Sequence, residues 1–129
     1  MPTVLLIDDS KFLRRVNELS LARAGHIILT ASDGEEGLRV ALEKKPDVIV
    51  LDMMLPKLGG AQLLRLLKTD PLTASIPVIV LSSLAQKNAE RLIADGAAAY
   101  LEKSQLEVEK SSNQLCKTVS QVLLTSATR

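Results

Sequence analysis

Three aspartates directly follow two of the most apolar stretches of the chain. The run Val4–Ile7 leads into Asp8 and Asp9, and the run Val48–Leu51 leads into Asp52. Carboxylates that lie close together repel one another, so at least one of them keeps its proton near neutral pH unless a cation compensates. A small number of oxygen ligands suits Mg²⁺, which retains several of its waters. The pattern therefore indicates a Mg²⁺ site if the fold brings the two runs together.

Two further polar groups follow the later apolar runs. Ser82 comes directly after Val78–Leu81, and Lys103 comes shortly after Ala98–Leu101. A metal, an ammonium and a hydroxyl suit phosphoryl transfer, because the charge on the oxygens of the transferred group must be stabilised. Asp52 ends the central predicted strand and is the best-placed nucleophile. Its attack on phosphorus would give an acyl phosphate.

Each of these residues has an ordinary structural explanation when it is considered alone. An aspartate at a strand end is usually a solvated loop residue or a helix N-cap, and Asp9 or Ser10 is expected to cap the first helix as well. The functional interpretation therefore depends on the whole set, because the set gathers carboxylates, a hydroxyl and an ammonium at one edge of one predicted sheet.

The apolar runs themselves predict the elements that position this set. Val4–Ile7, Val48–Leu51 and Val78–Leu81 are aliphatic throughout, which is typical of strands buried on both faces of a parallel sheet. The intervening segments have helical periodicity. The predicted apolar helix faces are Phe12, Leu13, Val16 and Leu19; Gly60, Leu63, Leu64 and Leu67; and Val108, Leu115, Val119 and Val122.

Helix boundaries are also predicted from the sequence. Ser32, followed three residues later by Glu35, resembles a capping box at the start of a helix. Gly25 and Gly96 lie where C-terminal helix caps are expected. The residue before Pro71 avoids helical geometry, so the helix that starts near residue 60 should end there.

The order strand–helix, repeated five times, predicts an α/β fold of the flavodoxin-like, doubly wound class. We expect a five-stranded parallel sheet in the order 2-1-3-4-5 with helices on both faces. In that order strands one and three are neighbours, and the crevice at their carboxyl ends is the expected site. Residues 1–129 form one predicted domain, with a core from about residue 3 to residue 125.

Composition narrows the class of protein. The net charge of +1, from 16 basic and 15 acidic residues, gives no basic excess of the kind that a nucleic-acid partner requires. Cys116 is the single cysteine, which excludes an internal disulfide and a cysteine metal cluster. No apolar run approaches membrane-spanning length, and the N-terminus lacks the pattern of a signal peptide. A cytoplasmic protein without a membrane partner is expected.

As a spaced set, these motifs resemble the receiver domains of two-component response regulators. The set comprises the strand before Asp8-Asp9, VLDMMLP around Asp52, the following Gly60, IPVIVLSS with Ser82, and AAYLEKS with Lys103. The resemblance extends from Val4 to about Thr125. With no effector domain attached, the chain is most similar to the single-domain, chemotaxis-type regulators.

The resemblance implies a phosphoacceptor and a metal site. Asp52 is the expected phosphoacceptor, and it would take a phosphoryl group from a histidine kinase or a phosphotransfer protein acting in trans. Asp8, Asp9, Asp52 and the backbone carbonyl of Met54 are the expected ligands of Mg²⁺. The chain would thus be a phosphoprotein of a phosphorelay.

The resemblance also implies a switch. Ser82 and Lys103 are expected to bind the phosphoryl group, and Tyr100 is expected to change rotamer. The surface made by helix four, strand five and helix five would then be recognised by a downstream protein, whose identity the sequence does not indicate. The expected state is a monomer or a weak phosphorylation-linked dimer.

Departures from the family pattern lie at the edge of the predicted site. Ser104 follows Lys103 where the family usually has proline, so the peptide bond between them is expected to be trans, because a cis bond before a non-proline residue costs about 3–4 kcal/mol. Ser83 stands where a smaller alanine is common. Ser83, Met54 and Leu84 are the expected modulators of access to the phosphoacceptor.

Two other classes of protein remain as alternatives. One is a phosphorylation-independent interaction module with the same fold, which Ser104, Ser83 and the Gly59-Gly60 pair support. The intact acidic pair, Asp52, Ser82 and Lys103 argue against it. A turnover enzyme is disfavoured, since a haloacid-dehalogenase-type phosphatase needs a second acid where Met54 stands, and no P-loop pattern is present. We expect no enzymatic activity beyond self-phosphorylation from small phosphodonors and slow autodephosphorylation.

Overall fold

A computed structural model of the chain describes residues 1–53, 55, 58–82, 89–102 and 108–127. The predictions for Met54, Ser83, Leu84, Lys103 and Ser104 concern residues outside this part of the chain. They therefore stay predictions.

Strands and helices alternate along the described residues. The strands are β1 (Thr3–Ile7), β2 (Ile27–Ala31), β3 (Val48–Asp52), β4 (Val78–Ser82) and β5 (Ala99–Glu102). The helices are α1 (Lys11–Arg23), α2 (Gly34–Lys44), α3 (Gly60–Thr69), α4 (Ala89–Ala94) and α5 (Val108–Ala127). All strand pairs are parallel, and their order in the sheet is β2-β1-β3-β4-β5. The predicted fold class and strand order are confirmed.

The sheet carries a separate hydrophobic cluster on each face, because successive strand residues point to opposite sides. On one face Leu5 and Ile49 pack with residues of α2, α3 and α4. On the other face Val4 and Val48 pack with residues of α1 and α5. All of β3 and β4 and most of β1 are buried. The interpretation of the continuous aliphatic runs as doubly buried strands is therefore confirmed.

The buried face of α1 differs from the predicted one. The structure buries Leu13, Asn17 and Leu21, whereas Phe12 is 66% exposed and Leu19 is 42% exposed. The prediction was right for Leu13 and wrong for Phe12 and Leu19, because the buried stripe carries the polar Asn17 at its centre. A hydrophobicity pattern therefore favoured the neighbouring stripe. The predicted face of α3 is confirmed by the burial of Leu64, among others, and that of α5 is confirmed at Leu115 and Val119. The side chain of Val108 lies outside the described part of the chain.

The N-terminus of α2 is one residue later than the sequence indicated. Asp33, rather than Ser32, is the N-cap, and its Oδ1 accepts a hydrogen bond from the Glu36 backbone N–H at 2.8 Å. The Glu36 side chain in turn accepts from the Ser32 backbone N–H at 2.9 Å. The pair resembles a capping box, except that Glu36 accepts from the residue before the N-cap and a carboxylate replaces the hydroxyl at the N-cap.

The predicted C-terminal helix boundaries are confirmed. Gly25 follows α1 with φ of 96°, and Gly96 follows α4 with φ of 113°, a left-handed conformation that favours glycine. Helix α3 ends at Thr69, and Asp70 is its C-cap before Pro71. These turns return the chain to the amino edge of the sheet.

Helix α5 is the longest described helix, with 20 residues. It packs beside α1, where the Ser112 and Ser20 hydroxyls form a hydrogen bond at 2.6 Å. Neither α5 nor any other helix of the described residues is long and apolar enough to cross a membrane.

Cys116 lies half-buried on α5, against the cluster that α1 and α5 cover. Burial raises the pKa of its thiol. Because the thiolate is the reactive form, the cysteine is less reactive at neutral pH than an exposed one. This environment is that of a structural cysteine rather than a reactive one.

Burial predicts how much each strand residue contributes to stability. The Ile49→Ala substitution should lower the free energy of unfolding by about 2–5 kcal/mol, because it leaves a cavity in the core beneath β3. Ile27→Ala, at a position that is 47% exposed, is the matched control and should cost about 1 kcal/mol or less. Urea denaturation measures both variants. Equal destabilisation would contradict the doubly buried position of β3.

Candidate functional site

Three carboxylates meet at the carboxyl edge of the sheet. β1 and β3 pair in parallel with Ile7 opposite Leu51, so Asp8 and Asp52, one residue further along each strand, are neighbours too. The carboxylate oxygens of Asp8, Asp9 and Asp52 lie within 4.8 Å of one another. The strand pairing therefore produces the acidic cluster that was expected from the residues following each strand.

The three carboxylates differ in their exposure to solvent. Asp8 is 0% exposed and Asp52 is 2% exposed, whereas Asp9 is exposed. Like charges repel more strongly when solvent screens them less, so the two buried groups carry most of the electrostatic cost. The exposed Asp9 gives solvent access to the cluster, and the ligand atoms that the described residues offer a cation there are carboxylate oxygens.

The backbone at Asp8 is held from several directions. Its N–H donates to the Ala31 carbonyl at 3.1 Å, and its Oδ1 accepts from the Ser10 backbone N–H at 2.9 Å. Ser10 is also the N-cap of α1, as one of the two predicted candidates. The Arg14 guanidinium donates to the Asp8 carbonyl at 2.8 Å. The start of α1 thus fixes the end of β1.

Arg14 was missed by the sequence reasoning. Its guanidinium adds a positive charge beside the acidic cluster, and the charge is delivered from the second turn of α1. The only signal in the sequence is a basic residue six positions after Asp8 on a predicted helix. That signal is weak, since arginine is common on helix surfaces.

The backbone beyond Asp52 is held by β4 and α3. The Met53 N–H donates to the Leu81 carbonyl at 3.0 Å, and the Gly60 N–H donates to the Met53 carbonyl at 3.3 Å. A Cβ on Gly60 would lie 2.5 Å from the Met53 Cα and 2.8 Å from the Asp52 carbonyl oxygen. Only glycine permits this approach of α3 to the site.

Ser82 lies next to the acidic cluster, whereas Tyr100 lies on β5 of the same sheet. Ser82 ends β4 and is 2% exposed, and β4 pairs with β3 so that Asp52 faces Leu81. Tyr100 is half-buried on β5 opposite Val80 and packs against the cluster on the α2, α3 and α4 face. Their predicted roles in phosphoryl binding and switching remain predictions.

A doubly wound sheet with an acidic cluster where β1 and β3 end defines a class of protein that binds its ligands at this edge. The sequence matches the family model of the response regulator receiver domain over residues 4–115. The chain therefore belongs to the response regulator receiver family.

Curated relatives agree with this family. The chain is 44% identical to the gliding motility regulatory protein of Myxococcus xanthus over 107 residues, which are 82% of this chain and 14% of that protein. It is 39% identical to protein PilG of Pseudomonas aeruginosa over 103 residues, which are 78% of this chain and 75% of PilG.

Most of these relatives are longer proteins. The chain matches 36% of the transcriptional regulatory protein AfsQ1 of Streptomyces coelicolor, with 43% identity over 83 residues that are 64% of this chain. The shared part of such relatives is thus about a third of their length or less.

Solved structures show the same fold. The response regulator domain of Thermotoga maritima CheB has a TM-score of 0.85 and 28% identity, covering 95% of this chain and 96% of that one. The chemotaxis protein CheY4 of Vibrio cholerae has a TM-score of 0.83 and 28% identity, covering 95% of this chain and 98% of that one.

Because the carboxylates of the acidic cluster repel one another, removing the charge of one of them should stabilise the protein. Asp8→Asn should raise the free energy of unfolding by roughly 1–2 kcal/mol in metal-free, low-salt buffer, since a like-charge pair at this separation costs about 1–4 kcal/mol. Asparagine keeps the acceptor for the Ser10 N–H. Urea denaturation measures the change, and added salt should shrink it.

Asp47→Asn is the matched control for this variant. Asp47 also accepts a backbone hydrogen bond, from Thr3 at 2.7 Å, but it is exposed and lies at the opposite end of β3. Its neutralisation should not stabilise the protein. If Asp8→Asn lowered the free energy of unfolding, by as much as Asp47→Asn does, the predicted repulsion between the carboxylates would be contradicted.

Proposed function

We propose that the chain is a phosphoacceptor switch of two-component signal transduction and that Asp52 is its phosphoacceptor. The observation that carries the proposal is the placement of Asp52. It ends the fully buried β3, its carboxylate oxygens lie within 4.8 Å of those of Asp8 and Asp9, and the Ser82 hydroxyl ends the adjacent strand. Membership of the receiver family supports the same assignment.

The proposed chemistry is a phosphoryl transfer to the Asp52 carboxylate. A carboxylate oxygen attacks the phosphorus of the donor, the bond from phosphorus to the donor's leaving group breaks, and that group departs with the bonding electrons. The product is an acyl phosphate on Asp52. Ser82 lies one position beyond the residue facing Asp52 on β4, from where its hydroxyl would donate to a phosphoryl oxygen.

We further propose Mg²⁺ as the cofactor. The donor set fits this ion, because it consists of carboxylate oxygens alone and the exposed Asp9 gives solvent access. Asp8, Asp9 and Asp52 would hold the metal, together with the carbonyl of Met54. When bound, the ion offsets the negative charge that the phosphodonor brings to three carboxylates.

The proposed phosphodonor is a histidine kinase or a phosphotransfer protein acting in trans. His26 is the only histidine of the chain, and it directly precedes β2, at the amino edge of the sheet. The backbone N–H of His26 donates to the Leu21 carbonyl in the last turn of α1. The proposed histidine donor for Asp52 therefore lies outside these 129 residues.

The proposed output is a shift between two conformations. A phosphoryl group on Asp52 favours the state in which Ser82 contacts it, and only a contact that differs between the states can move their equilibrium. The coupling would be about 1–3 kcal/mol, a typical value for allosteric proteins. Lys103 would pair with the phosphoryl oxygens. The surface of α4, β5 and α5, with Tyr100, would present the result to a downstream protein.

The proposed partner of these 129 residues is a protein rather than a nucleic acid, since the net charge is only +1. The proposed compartment is the cytoplasm, whose reducing conditions suit a single unpaired cysteine. We propose a switch with slow loss of its own phosphoryl group rather than an enzyme with an external substrate.

Phosphorylation by acetyl phosphate tests the proposed acceptor. The wild-type protein with Mg²⁺ should gain one phosphoryl group, and Asp52→Asn should gain none, because it lacks the nucleophilic oxygen. Intact-protein mass spectrometry measures both, with Asp47→Asn as the control that should label normally. Equal labelling of Asp52→Asn and wild type would overturn the assignment.

Metal binding provides a separate test. Mg²⁺ at a hundredfold excess over its Kd should stabilise the wild type by about 2.7 kcal/mol, because it binds the folded state alone. Asp9→Asn removes an exposed ligand without disturbing the core, and a higher Mg²⁺ concentration should be needed for the same effect. Thermal unfolding during a Mg²⁺ titration measures this. No stabilisation of the wild type would favour the phosphorylation-independent module instead.

A further inference from the structure

A small cavity lies between α3 and α4, and Ser82 at the end of β4 is part of its lining. Its volume is about 240 Å³. Its more buried lining comes from Met53, Ser82 and Leu92, and Ala61 lines it from the first turn of α3. This part of the cavity is mostly apolar, with the Ser82 hydroxyl as a polar group within it.

Two arginines line the exposed part of the same cavity. Arg65 comes from α3 and Arg91 comes from α4, and both are exposed. Neither guanidinium makes a hydrogen bond or an ion pair with the described part of the chain. Asp95 also lines the cavity, four residues after Arg91, yet the two form no ion pair. Among the described lining residues there are thus two positive charges and one negative charge.

We propose that this cavity binds a small organic anion with an apolar body. The excess positive charge favours a carboxylate, and two guanidiniums from different helices can approach it from both sides. The apolar lining favours a ring or a branched chain over an inorganic ion. The volume is below the range of about 300–1,000 Å³ for drug-sized ligands, so a single-ring compound is the appropriate size.

The position of the cavity connects such a ligand to phosphorylation. A carboxylate that accepts a hydrogen bond from Ser82 competes for the hydroxyl that the phosphoryl group on Asp52 would use. Met53, which also lines the cavity, directly follows Asp52 and is held by Leu81 and Gly60. The anion should therefore oppose phosphorylation. This consequence rests on the proposed function, whereas binding itself does not.

Titration with three matched probes tests the binding. Benzoate, benzamide and benzylammonium share a ring and differ in charge, and each is added at millimolar concentration to ¹⁵N-labelled protein. Benzoate should shift the backbone resonances of residues 53, 61, 82 and 92, benzamide should bind more weakly, and benzylammonium weakest. Added salt should weaken benzoate selectively, because exposed charges are screened.

Variants of the lining separate this site from general surface binding. Arg65→Gln and Arg91→Gln should each raise the Kd of benzoate about two- to fivefold, the range that one exposed charge pair supports. Ala61→Leu should abolish binding by filling the cavity while keeping a good helix former on α3. Arg39→Gln, which removes an exposed arginine of α2, is the control and should bind like the wild type.

Further measurements distinguish the proposed anion site from the proposed phosphoacceptor function. Asp52→Asn should bind benzoate like the wild type, since Asp52 does not line the cavity. Benzoate should slow labelling of the wild type by acetyl phosphate and leave the rate unchanged in Ala61→Leu. Equal affinity for the three probes, or unchanged affinity in both arginine variants, would overturn the site. Binding without any effect on the labelling rate would overturn its connection to phosphorylation.

Discussion

The mutual repulsion of three carboxylates is the constraint on which the rest of the structure depends. Asp8, Asp9 and Asp52 lie within 4.8 Å of one another, and two of them are almost completely buried. Flexible loops would relieve this repulsion by moving apart. Here the carboxylates follow β1 and β3, which are hydrogen-bonded neighbours buried in aliphatic side chains. The core therefore supplies the rigidity that a preorganised charged site requires.

Helices complete this restraint at the points where the strands end. Helix α1 holds the residue after β1 through Ser10 and the Arg14 guanidinium. Helix α3 approaches the residue after β3 so closely that Gly60 has no room for a Cβ. The Ser10 N–H holds the Oδ1 of Asp8, whereas the Arg14 and Gly60 contacts act on backbone carbonyls. The order of the sheet thus decides which residues meet, and the first turns of two helices decide how firmly they are held.

The different roles of the sheet and the helices explain which features of the fold and the site can be predicted from the sequence and which cannot. The strand order and the meeting of Asp8 with Asp52 follow from local properties, because long aliphatic runs permit few topologies and the site residues are counted from the strand ends. The buried face of α1, by contrast, depends on Asn17, whose burial is decided by packing against residues far away in the chain. Arg14 was missed for the same reason, since its acceptor is a backbone carbonyl and leaves no pattern in residue types. The cavity lining of α3 and α4 is likewise visible only after two helices are placed side by side.

The charged groups near the carboxyl ends of β3 and β4 differ in sign between the two sides of this edge of the sheet. The acidic cluster lies on the β1 side of Asp52, and the arginines of α3 and α4 lie on the side of Ser82. A phosphodonor is itself an anion, so the field of three carboxylates opposes its approach unless cations act nearby. A metal among the aspartates would reduce this opposition from one side, and the guanidiniums would reduce it from the other. An anion held between Arg65 and Arg91 would cancel part of the second contribution, so the same side chains that favour such a ligand would also let it oppose phosphorylation.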